Sequence, residues 1–209
     1  KGFFKEPREP IRENGYIRFL NWPESQLLAR VASQSPEAVF EIIKNLDSAN
    51  QSVLDNFVEA ALNSTSKTAT KYVDLIEKKQ WTQNPYNLRL PNSIADLMEK
   101  LATDGEIGEA IRLAGVLFDL RVEQPRKLAD DANEELSYIH PDAKPYFDEW
   151  KLNEIVKKKT GKLSEDAPTK LFEVYVNKLH DAIRLEKREN NPDDFYEYSH
   201  IWRPNIFRA

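Results

Sequence analysis

Residues 22–78 read WPESQLLARVASQSPEAVFEIIKNLDSANQSVLDNFVEAALNSTSKTATKYVDLIEK, and this stretch decides the fold. Ser35-Pro36 places an N-cap residue before a proline at the first helical position, where the missing N–H costs nothing and the fixed φ suits a helix. Val39, Ile42, Ile43 and Leu46 then recur at helical spacing, an apolar stripe with a period near 3.6. The same grammar opens an earlier helix at Trp22-Pro23, with Leu27, Leu28, Val31 and Ala32 on one face. Asn50 caps a third carrying Leu54, Phe57, Val58, Ala61 and Leu62, and a fourth from about Ser66 carries Ala69, Tyr72, Val73 and Ile76. Turns of a few residues force successive helices to lie antiparallel, and none is apolar all round. The stretch therefore predicts stacked helix pairs.

Outward from it, the first twenty residues mix Phe3, Phe4, Pro7, Pro10, Tyr16 and Phe19, which predicts an extended arm over 1–22 that caps the stack or docks a neighbouring domain. Downstream, the loop Gln80 to Pro91 holds Trp81 and Tyr86. Exposed, such rings make a partner-binding patch; folded back, they plug the groove between helix pairs. Pro91-Asn92 restarts the pattern with Ile94, Leu97, Met98 and Leu101. Asp104-Gly105 turns the chain into Ile107, Ala110, Ile111, Ala114, Leu117 and Phe118, completing three helix pairs over 23–118.

Periodicity fails over 119–142, which reads as an irregular surface excursion. A final helix pair follows over 143–190. Its first helix carries Phe147, Trp150, Ile155 and Val156 and ends in three lysines before a stop at Gly161; its second carries Phe172, Tyr175, Val176, Leu179 and Ile183, with Leu171 and Val174 on another side. The segment 191–209, with Phe195, Tyr196, Trp202 and Phe207, is too aromatic for a free tail. With the missing N-terminal Met, it leads us to expect a piece of a longer protein.

The chain has 209 residues, enough for one or two domains. A net charge of -5 argues against a surface built for nonspecific nucleic-acid binding. Without cysteine there is no disulfide framework and no thiolate site. No apolar run approaches the roughly 18 to 20 residues that span a bilayer, and no signal-peptide pattern opens the sequence, so a cytoplasmic protein is expected.

Chemistry-bearing patterns are sparse. Six glycines include no phosphate loop, and His140, His180 and His200 form no metal-binding motif. His180-Asp181 offers half a site at most, and Asp130-Asp131 and Asp193-Asp194 suit solvated loops or the negative first turn of a helix better than a divalent-ion site. No catalytic, cofactor-binding or metal residue is expected. The basic run Lys157, Lys158, Lys159 with Lys162 is the nucleic-acid alternative, weakened by acidic surroundings and by the lack of interleaved aromatics.

Three motifs carry a resemblance: Gly15-Tyr16-Ile17-Arg18-Phe19 followed by Trp22-Pro23, Phe147-Asp148-Glu149-Trp150, and Ser199-His200-Ile201-Trp202-Arg203-Pro204. Together they resemble a helical-repeat region of very large, mostly uncharacterised bacterial proteins. The resemblance implies that any NTPase or effector activity lies outside this chain; some proteins of that architecture act as sensors in signalling or phage defence. The resulting expectation is an all-α fold of antiparallel helix pairs stacked as a short HEAT-like or tetratricopeptide-like α-solenoid. Its function would be non-catalytic, binding a protein or a neighbouring domain of the same chain through Trp81, Tyr86, Trp202 and Arg203. The alternatives are a nucleic-acid-sensing module and, behind it, an enzyme on an all-helical fold.

Overall fold

A computed structural model of the chain describes residues 4, 6–13, 16–83, 89–118 and 149–188. They are mainly helical and fall into two compact units, one ending at Ser93 and the other starting at Ile94. The excursion over 119–142 and the segment 191–209 lie outside the described residues. Among the described residues no helix is long and apolar enough to cross a membrane.

In the first unit the expected arm contains a short antiparallel hairpin, β1 (Ile11–Glu13) with β2 (Tyr16–Arg18). Four helices follow: α1 (Pro23–Val31), α2 (Pro36–Lys44), α3 (Gln51–Asn63) and α4 (Ser66–Lys78). Proline opens α1 and α2 as the sequence requires, and the Asn50 side chain caps α3 by accepting from the Ser52 N–H at 3.0 Å. Ser35 makes no side-chain cap bond; the fixed φ of Pro36 starts α2 without one.

Neighbouring helices pack in alternation, α1 against α3 and α2 against α4. The side-chain bonds that join these couples, or the residues flanking them, span similar sequence intervals. Asn50 reaches the Leu20 carbonyl, Asn56 the Ser25 hydroxyl and Asn63 the Ala29 carbonyl, across 30, 31 and 34 residues. Thr68 and Lys71 reach Glu37, and Lys79 reaches the Leu46 carbonyl and Asp47, across 31, 34, 33 and 32 residues. Because the partners advance together along both members of each couple, α1 runs in the same direction as α3, and α2 as α4.

The apolar stripes supply the adhesion. Leu28, Ala29, Val39, Phe40, Ile43, Phe57, Val58, Ala61, Tyr72, Val73 and Ile76 are all buried. Phe40 meets Tyr72 edge-on with centroids 5.0 Å apart, the orientation that sets a ring's positive edge against its neighbour's negative face. One stripe residue departs from the reading: Leu27 is 43% exposed, and the core side of α1 is Leu28, Ala29 and Ala32.

The helix α5 (Leu90–Thr103) crosses from the first unit into the second, where α6 (Ile107–Leu117), α7 (Glu149–Lys159), α8 (Gly161–Asp166) and α9 (Pro168–Arg188) follow. The turn at Asp104-Gly105 ends α5 as expected. Gly105 takes φ 87°, and the N–H groups of Gly105 and Glu106 return to the carbonyls of Ala102 and Leu101, satisfying acceptors that the helix end orphans. Gly161 differs from its expected role as a stop: it begins α8, a helix inserted between the two that the sequence suggested. Among the described side chains of α9, Leu171 and Tyr175 are buried, whereas Phe172 is 43% exposed. Tyr175 packs its ring on Phe118 at 5.6 Å.

Candidate functional site

Trp81, proposed from sequence as a partner-binding residue, sits in the core of the first unit. The chain leaves α4 through Gln80, a non-glycine residue at φ 52°, and this left-handed step turns a short 3-10 segment, Trp81–Gln83, back onto α3. The Trp81 ring lies 5.9 Å from that of Phe57 and is 4% exposed, so it offers a partner no surface. Tyr86, Trp202 and Arg203 lie outside the described residues, as do His140, His200, Asp130-Asp131 and Asp193-Asp194.

The basic run is largely neutralised from within. Lys159 holds Glu99 at 2.7 Å and Asp96 at 3.0 Å on α5, contacts that raise its pKa. Lys158 pairs with Glu154 at 2.5 Å, and Lys162 with Asp166 at 3.0 Å, its own pKa raised mainly by that carboxylate. Lys157 is exposed in the last turn of α7, where a cation complements the helix C-terminus. The arrangement is three lysines tied to carboxylates, a geometry that presents little net field to a phosphate backbone.

No group of three or more metal-ligating side chains gathers among the described residues. His180 lies exposed on α9 beside Asp181. Buried polar chemistry is instead concentrated along α3. Asn50 is fully buried; its side-chain oxygen caps the helix while its NH2 group donates to the carbonyls of Arg8 and Leu20, each at 2.7 Å. Asn56 donates to Ser25, whose hydroxyl donates onward to the Trp22 carbonyl at 2.7 Å. Asn63 donates to the Ala29 carbonyl at 3.0 Å.

Beside this seam stands Asp55. Its Oδ1 is enclosed without a hydrogen-bond partner, and burial pushes its pKa up to about 6, with the positive charge of Arg89 pulling the other way. The Tyr72 hydroxyl is likewise enclosed without a well-aligned partner. Burial drives the phenol far above its ordinary pKa, opposed by the neighbouring Ser64 hydroxyl, which donates to the Ala60 carbonyl. The Tyr175 phenol is pushed up to about 12 by burial, with Thr160 at 3.5 Å opposing. Asp55 and Tyr72 belong to the first unit and Tyr175 to the second.

Apolar periodicity does not reveal the asparagine seam, and the sequence marked only Asn50 of its three members. A signal was available: Asn56 stands inside an otherwise regular helical stripe, where asparagine is a poor helix former unless its amide has a partner elsewhere. Compared with protein families, curated proteins and solved structures, the chain matches none of them.

Proposed function

We propose that this chain is part of an α-solenoid of helix pairs and serves as a non-catalytic scaffold for a protein or a neighbouring domain. The observation that supports it most is the narrow range of sequence intervals, 30 to 34 residues, between hydrogen-bonded positions on or flanking α1 and α3 and on or flanking α2 and α4. A structural unit repeated by translation brings residue i beside the residue one repeat later at every level of the stack. The outer residues of α2 and α4 are charged, and Glu37 on α2 pairs with Lys71 on α4, which suits the hydrated outer surface of such a stack. Among the described residues, the large apolar side chains of Leu27 and Phe172 stand exposed and replace Trp81 as the contacts to test.

The test is recovery of partners on the immobilised chain, with and without nuclease and at two salt concentrations. A scaffold recovers a defined protein partner, insensitive to nuclease, whose retention falls when Leu27→Ser or Phe172→Ser is introduced. Recovery of nucleic acid that is released at high salt would overturn this reading and move the function to the exposed basic side chains.

A further inference from the structure

We draw no further inference here: the strongest candidate, the apolar stripe on one side of α9 formed by exposed Phe172 and half-buried Val176, Leu179 and Ile183, is a helix face for which nothing in the structure shows what covers it.

Discussion

Asn56 on α3 and Ser25 on α1, thirty-one residues apart, meet at 2.8 Å, and Ser25 is fully buried. The contact ties the two helices at one height of the stack with a directional bond, which apolar stripes alone do not supply. In a double-mutant cycle, Asn56→Ala and Ser25→Ala should show a coupling of about 1 kcal/mol in urea unfolding, the scale of one internal hydrogen bond. Asn63→Ala, whose acceptor is the Ala29 carbonyl, should add to Ser25→Ala without coupling. Strict additivity of the first pair would contradict the contact.

Asp55 should make the protein more stable in mild acid than at neutral pH. Its carboxyl holds a proton more tightly when folded, with a pKa of about 6 against an ordinary value of 3.8, so the folded state binds more protons between those limits. Stability therefore falls as pH rises from 3.8 through 6 and levels off above. Allowing for the partial exposure of the group, the loss is about 1–2 kcal/mol. Asp55→Asn should raise stability at pH 7 and flatten this segment of the profile, as followed by thermal unfolding from pH 4 to 8. A destabilised variant at pH 7 would show that attraction to Arg89 outweighs burial.

Gln80 holds a backbone conformation that glycine adopts freely, and its side chain is exposed. Gln80→Gly should stabilise the chain by up to about 1 kcal/mol. Gly105→Ala, at φ 87° with open space around it, should destabilise by a similar amount, since strain and not crowding is the cost. Paired denaturation curves with opposite shifts are the expected outcome.

Trp81→Ala should cost about 3–5 kcal/mol by leaving a cavity against Phe57, whereas Leu27→Ser should change stability by less than about 1 kcal/mol. The difference in melting temperature between the two variants checks which of these apolar residues belongs to the core.

The helix starts were legible because proline and asparagine act locally: Pro23, Pro36 and Asn50 mark the boundaries of α1, α2 and α3. Buried faces were also largely legible, with every stripe residue named for α4 and for the start of α5 in the core. Adjacent apolar residues were harder. Leu27 and Leu28 lie about 100° apart on a helix, and Phe172 beside Leu171 poses the same problem, so which one faces inward is settled by the neighbouring helix. The placement of Trp81 depends on the left-handed step at Gln80, which no sequence rule requires of glutamine. Direction along the stack was legible, since antiparallel successive helices leave α1 parallel to α3 and α2 to α4. The register between them was not, because it resides in the side-chain bonds of Asn56, Asn63, Thr68 and Lys79.

That parallel register is the measurement we would make first. The chain contains no cysteine, so introduced pairs can be linked without interference. Lys71 and Lys79 lie eight residues apart, about 12 Å along α4. With α2 and α4 running the same way, a bismaleimide shorter than about 10 Å should join cysteines at positions 37 and 71, and at 47 and 79. It should leave the crossed pairs 37 with 79 and 47 with 71 largely unlinked. Crossed pairs linking as fast as the in-register ones would contradict the translated helix pairs on which the proposed function rests.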